Sequence, residues 1–431
     1  MKDFRDKTIL ILGLGASGYS AAEFLLKRKY SVKISEAGDS SAIRTKIDKL
    51  GKIWPLVSEV GAHTREFCSE ADMIVASPGI NIKDLYAERS IPEEIPLMGT
   101  LELGASFCEA PMIAVTGTNG KSTVTKLLGH IFSFSGKNAV VCGNIGNPLI
   151  GEVDGLKENS VVIVEVSSFQ LETIVNFKPH IAILLNISED HYDRHRDHKS
   201  YKAEKYKIFR NQTEEDWAVI NSDLKNDDEI GDIKSRIVFF ETDPGLLKEL
   251  SIREEDLPLS GKHNLENVVC SIMAAGIMKV EKDLIKKAIL TFKPLRHRIE
   301  KVGIFRGVEF IDDSKATNID ATRRAVEMTK KGLILISGGV DKGGDYTVLI
   351  PLFKNKVKTL IVMGEAKEKI KSVFSSVIHV IETENMGSAV AAAKENAREG
   401  DTVMLSPMCS SFDMFSGYKE RGEAFQREVK R

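Results

Sequence analysis

The chain has 431 residues, with 60 Lys+Arg against 62 Asp+Glu and a net charge of −2. That length exceeds one ordinary core and asks for two to three domains. The charge balance gives no electrostatic reason for nucleic-acid or membrane-surface binding, so an anionic ligand must be held by local groups. Five scattered cysteines, in no C-x-x-C pair, argue against a disulfide framework and a zinc site and suit buried thiols in a reducing, cytoplasmic setting.

From the N-terminus, Asp3 and Asp6 interrupt the basic region and Gly13 and Gly15 break the apolar run, which opposes a signal peptide. Thr8–Leu12 predicts a strand. Gly13, Gly15 and Gly18 follow in a G-x-G-x-x-G loop that opens a helical pattern, and Glu36 ends the next strand. This pattern suits a nucleotide or diphosphate at a strand end. It admits an NAD-dependent oxidoreductase, or a glycine turn that serves packing alone. Pro92 and Pro96 then bracket a charged stretch, which sets a boundary near Ile91–Gly99.

Ile113–Thr116 predicts a second strand, followed by Gly117, Thr118, Asn119, Gly120, Lys121, Ser122 and Thr123 and then a helix striped by Leu127, Leu128, Ile131 and Phe132. This reads as a phosphate cradle: backbone N–H groups curl round the oxygens, Lys121 reaches the outer phosphates, and Ser122 or Thr123 ligates Mg²⁺. The spacing is short, with Val115 where the longer motif has its first glycine. Strand Val161–Val166 delivers Glu165 beside that loop, as Mg²⁺ sites require. Strand Ile181–Ile187 delivers Asp190 and His191. The helical pattern Tyr201–Phe209 carries Lys202, Lys205 and Lys207, which on residue pattern alone reads as a solvated basic face. Pro294 marks a second boundary near Phe292–Arg298. Strands at Leu333–Ser337, Leu360–Met363 and Thr402–Ser406 follow. No apolar run approaches membrane-spanning length.

Continuous apolar strands alternating with helices predict an α/β protein with parallel sheets. The expected domains are 1–98, a Rossmann-like fold; 99–295, a central P-loop ATPase-type sheet; and 296–431, a C-terminal Rossmann-like fold.

The loop at 116–123, Gly143–Gly146, Ser167–Glu172, Glu189–His191, Gly261–Asn264 and Asp313–Asn318 together resemble the Mur ligase family, in the family's order through all three domains. The resemblance implies a monomeric, cytoplasmic, ATP-dependent amide ligase of cell-wall precursor synthesis using two Mg²⁺ ions. The run Ser406–Phe415 stands where a diamino-acid-adding member has Asp-Asn-Pro-Arg. It implies D-glutamate as the amino acid and UDP-N-acetylmuramoyl-L-alanine as the acceptor. By the same resemblance Gly13, Gly15, Ser17 and Glu36 hold uridine and diphosphate, Ser77 and Gly79 lie near the sugar, and Asn144 touches substrate at the reacting centre. Lys121, Ser122, Glu165 and His191 hold the triphosphate and metals, and Lys205 falls where a carbamylated lysine places the second Mg²⁺. Asn264 and Asn267 approach adenosine. Arg298, Asp313 and Lys315 contact ATP, with Thr317 nearby. Lys342, Ser411 and Tyr418 take the amino acid. Glu36 stands where relatives often have Asp, and Tyr418 where they have Phe. The competing readings are a dehydrogenase using the first glycine loop, a ligase for a different amino acid, and a non-catalytic nucleotide-binding regulator.

Overall fold

The computed structural model describes residues 4, 6–191, 194–242, 244–259 and 261–431. The described chain forms two compact units. One comprises residues up to 186 with 201–257 and 264–292. The other comprises 187–200, 258–263 and 293–431.

The first unit holds two wholly parallel sheets. Strands β1 (Thr8–Leu12), β2 (Ser31–Glu36), β3 (Val57–Val60), β4 (Met73–Ala76) and β5 (Leu97–Gly99) are ordered β3-β2-β1-β4-β5. The short strand just after Pro96, β5, is the outer strand of this sheet. Strands β6 (Met112–Thr116), β7 (Asn138–Gly143), β8 (Ser160–Glu165), β9 (Ile181–Leu184), β10 (Trp217–Asn221) and β11 (Arg236–Phe240) are ordered β11-β10-β9-β6-β8-β7.

The apolar runs are continuous because both faces of each sheet are covered. In β1, Ile9 and Ile11 enter one core with Phe24, Leu25 and Val75, while Leu10 and Leu12 enter another with Ile74 and Ile82.

The second unit contains β12 (Glu300–Phe305), β13 (Val308–Asp312), β14 (Leu333–Gly338), β15 (Val357–Met363), β16 (His379–Glu382) and β17 (Thr402–Leu405), ordered β12-β13-β17-β14-β15-β16. The sheet is mixed, because β12 runs antiparallel to β13 across a short turn with a register shift between Lys301 and Gly303. Its inner strands again alternate between two cores, Leu333 and Leu335 on one side and Ile334 and Ile336 on the other. Among the described residues no helix is long and apolar enough to cross a membrane.

In parallel sheets the carboxyl ends of the strands share one edge, where loops converge and ligands bind. The loops after β6, β8 and β9 meet there in the first unit, and those after β13, β14 and β17 in the second.

Candidate active site

The loop after β6 is shaped by two glycines. Gly117 has φ +148°, and a Cβ on it would lie 3.0 Å from the Leu185 side chain. Gly120 has φ +89°, and a Cβ there would lie 2.5 Å from Asn267 Oδ1. Backbone of this hand and closeness admits only glycine. The helix Lys121–Phe134 then starts with no side-chain cap, the kind of helix start at which anions bind.

Two amides of this loop are taken up by the protein itself. Thr118 N donates to Asn186 O at 2.9 Å and Asn119 N donates to Asn186 Oδ1 at 2.8 Å, so these two amides turn into the protein. Gly120 and the first turn of the helix Lys121–Phe134 follow these two amides. Lys121 Nζ folds onto the loop, donating to Gly117 O at 2.8 Å and Thr118 O at 2.7 Å.

Lys205 corrects the reading of a solvated basic face. It lies in the helix His198–Tyr206, is 1% exposed, and donates to Gly117 O at 2.9 Å while its ammonium sits 4.4 Å from the Tyr201 ring centroid. Its neighbours do behave as a surface: Lys202 pairs with Asp227 and Glu229, and Lys207 with Glu204.

Glu165, 1% exposed at the end of β8, accepts from Asn144 Nδ2 at 2.8 Å through Oε1. Its other oxygen, Oε2, is buried with no protein hydrogen-bond partner, and so is Thr123 Oγ1. Such atoms cost about 1–3 kcal/mol each when left unmet. They are the hard oxygen donors that a divalent cation takes, so the residues present fit Mg²⁺. Ser122 is buried in the same helical turn. Asn264 and Asn267 join this cluster: both are buried, Asn267 Nδ2 donates to Asn264 Oδ1, and Asn267 lies against Gly120.

At the first sheet, Gly13 has φ +82°, and Gly18 packs so closely on Gly13 O that a Cβ would lie 1.9 Å away. Gly15 and Ala16 stay exposed at the start of an uncapped helix, Ala16–Lys27, with Ser17 half-buried behind them. Glu36 accepts from Leu14 N and Gly38 N, which ties the loop to the end of β2. Ser77 Oγ donates to Gly13 O at 2.7 Å, and Gly79 is exposed beyond it.

In the second unit Asp190 sits at the centre of a cleft lined by Glu189, Asn318, Asp341, Lys342 and Tyr346. Lys342 Nζ donates to Asp190 Oδ1 at 3.2 Å and Asn318 Nδ2 to Oδ2 at 3.0 Å. His191 adjoins, with φ +58° and its Nε2 3.6 Å from Asp190 Oδ2. Asp313 is fully buried, and burial pushes its carboxyl up to about 7 despite Ser406 Oγ donating at 3.0 Å and the nearby positive charge of Arg298. Lys315 lies with its ammonium 4.1 Å from the Tyr418 ring centroid, and Thr317 N donates to Lys315 O. Ser411 is buried at the end of the loop after β17.

Two residues not singled out from sequence organise these loops. Asn186 is one. The other is Arg421, 1% exposed, which donates to Ser314 O (2.9 Å), Cys409 O (3.1 Å), Ser410 O (3.1 Å) and Ser314 Oγ (3.1 Å). Burial lowers its guanidinium to about 10, which leaves it charged at neutral pH.

Comparison with known proteins accounts for the arrangement. A family profile described as "Mur ligase MurD-like, N-terminal domain" matches residues 7–99, "Mur ligase middle domain" matches 115–275, and "Mur ligase, glutamate ligase domain" matches 297–409. A relative from Koribacter versatilis, named UDP-N-acetylmuramoylalanine--D-glutamate ligase, is 38% identical over 447 residues, covering 100% of this chain and 98% of its own.

The chain belongs to the Mur ligase family.

A second relative of the same name, from Pelotomaculum thermopropionicum, is 36% identical over 100% of this chain and 98% of its own. Among solved structures, the MurF ligase from Thermotoga maritima in complex with ADP has a TM-score of 0.62 at 14% identity, covering 100% of this chain and 99% of that one. The UDP-N-acetylmuramate-alanine ligase MurC from the same organism has a TM-score of 0.57 at 17% identity, covering 99% of each chain. At those identities the likeness is one of fold, and this Mur ligase shares it along its whole length.

Proposed function

We propose that this Mur ligase uses ATP to join D-glutamate to the alanyl carboxylate of UDP-N-acetylmuramoyl-L-alanine, in the cytoplasmic synthesis of a peptidoglycan precursor. The observation that carries the reading is the loop 117–123. Two lysine ammoniums share one carbonyl there, beside an uncapped helix start, in a chain 38% identical end to end to a ligase of that name.

A carboxylate does not accept an amine directly, since oxide is a poor leaving group. The carboxylate oxygen attacks the γ-phosphorus and the bond to ADP breaks, leaving an acyl phosphate. The D-glutamate nitrogen then attacks the acyl carbon, the carbon–oxygen bond to phosphate breaks, and the amine proton leaves to solvent. Protein in such transfers chiefly positions groups and neutralises charge. The first-turn amides of the helix Lys121–Phe134 cradle the triphosphate and Lys121 leaves its loop carbonyls for the outer phosphoryl group. Asn144, held by Glu165, orients the acceptor carboxylate, and Asn264 and Asn267 face the adenosine.

Ser122, Glu165 and His191, with a carbamylated Lys205, would hold two Mg²⁺ ions. Bound there, Mg²⁺ supplies charge neutralisation for the triphosphate. Gly13, Gly15, Ser17, Glu36, Ser77 and Gly79 take the uridine diphosphate end in a domain spanning 1–98. Arg298, Asp313, Lys315 and Thr317 complete the ATP contacts, and Lys342, Ser411 and Tyr418 bind the amino acid, in a domain spanning 296–431. The central domain spans 99–295, and the enzyme acts as a monomer.

The test is phosphate release from ATP with UDP-N-acetylmuramoyl-L-alanine against a panel of D- and L-amino acids. Release that needs both substrates, with D-glutamate preferred, is the expected result. Release indifferent to D-glutamate would overturn the substrate assignment.

A further inference from the structure

We propose that Asn186 is a positioning residue of the phosphate loop: it locks the two peptides that flank Asn119 so that the loop's later amides turn toward the triphosphate. The inference rests on the ligase reading above. Asn186 engages one residue through both its backbone N–H and its C=O. Its Oδ1 accepts from Asn119 N at 2.8 Å and its Nδ2 donates to Asn119 O at 3.1 Å. Its own backbone oxygen accepts from Thr118 N at 2.9 Å. Three hydrogen bonds to three consecutive peptides fix a short loop's rotation as well as its distance.

The loop also packs closely on the chain around Asn186. A Cβ on Gly117 would lie 3.0 Å from Leu185 Cβ and 3.2 Å from Asn186 N, so the loop rests on the chain just beyond β9. The Gly117 carbonyl, which accepts from both Lys121 and Lys205, and the Thr118 carbonyl, which accepts from Lys121, belong to the peptides that this contact holds. A carboxamide is the group that fits. It offers a donor and an acceptor side by side, matching the C=O and N–H of one residue. An ionised aspartate has two acceptors and would face Asn119 O with a like partial charge. Alanine reaches neither group. Glutamine carries one methylene more than the seat allows.

The role predicts a pH signature that bulk structural support would not produce. In Asn186→Asp a protonated carboxyl restores the missing donor, and ionisation removes it. Purified full-length wild type, Asn186→Ala and Asn186→Asp are compared by ADP-binding calorimetry, thermal melting and steady-state phosphate release between about pH 6 and about pH 8.5, a window above the ordinary aspartate value. Asn186→Ala is expected to raise the KM for ATP and weaken ADP at least about tenfold at every pH, with the amino-acid KM within about twofold of wild type. The activity of Asn186→Asp relative to wild type is expected to rise at least about fivefold on going from the alkaline to the acid end, while the Asn186→Ala ratio stays flat. A flat Asn186→Asp ratio, or Asn186→Ala with unchanged ADP affinity, overturns the proposal. Should Asn186→Asp not fold, ADP affinity of Asn186→Ala decides alone. If the wild type itself releases no phosphate, the ligase reading fails, and the ADP comparison still tests Asn186.

Discussion

Replacing Arg421 by methionine isolates what a buried guanidinium does for the amino-acid loops. The arginine satisfies Ser314 O, Cys409 O and Ser410 O at 2.9–3.1 Å, carbonyls from the loops that leave β13 and β17. Methionine fills the stem's space and offers no donor. Three buried acceptors left unmet cost about 1–3 kcal/mol each. Removing a buried charge returns several kcal/mol of desolvation. The net loss is then about 2–4 kcal/mol. It falls on the segments that carry Lys315, Thr317 and Ser411. Amide hydrogen exchange at 338–340 and 406–411 should accelerate, and the amino-acid KM should rise at least about tenfold, which corresponds to about 1.4 kcal/mol of loop ordering. Affinity for ADP should fall as well, since Lys315 and Thr317 lie in the loosened segment. Arg421→Lys, which keeps the charge and can reach fewer of the carbonyls, should fall between. Unchanged exchange in these segments together with an unchanged amino-acid KM would refute the reasoning.

Gly120→Ala forces a left-handed residue and a 2.5 Å approach to Asn267 Oδ1, and should weaken ADP by about tenfold or more in calorimetry with little change in the fold by circular dichroism. Lys342→Ala should raise the amino-acid KM about tenfold or more while ADP affinity stays within about twofold, since its partner Asp190 lies in the second unit's cleft. Asp313 is held up to about 7 in the fold against an ordinary value near 3.8. The folded state therefore binds more protons between those values, and stability falls as pH rises from about 4 to about 7. Asp313→Asn should remove that fall, at most about 4 kcal/mol, and flatten the thermal midpoints measured at pH 5 and pH 8.

The strands that build the site were legible because they are buried on both faces. Thr8–Leu12, Ile113–Thr116 and Leu333–Ser337 read as continuous apolar runs, and a parallel sheet covered on both sides produces that pattern. The edge strands were not legible. β12 and β16 are half-exposed, and β12 carries a register shift, so neither shows a clean period. Gly117 and Gly120 were readable from the loop itself. Lys205 was readable only through the family resemblance, because its helix averages as basic and polar, and the carbonyl that takes its ammonium lies 88 residues earlier in the chain. Asn186 looked like the tail of an apolar strand, since its partner peptide belongs to another loop. Arg421 is hidden in a charged C-terminal helix whose inward side, Arg421, Gly422, Phe425 and Gln426, emerges only once the helix is packed.

The central claim is that the turn at 117–123 grips a triphosphate whose outer phosphoryl group passes to a carboxylate. The most direct measurement is phosphate release by purified Lys121→Ala with ATP and both substrates at saturation. Loss of a preorganised charge contact predicts a fall in turnover of about 10²–10³. Turnover equal to that of the wild-type enzyme would contradict the account.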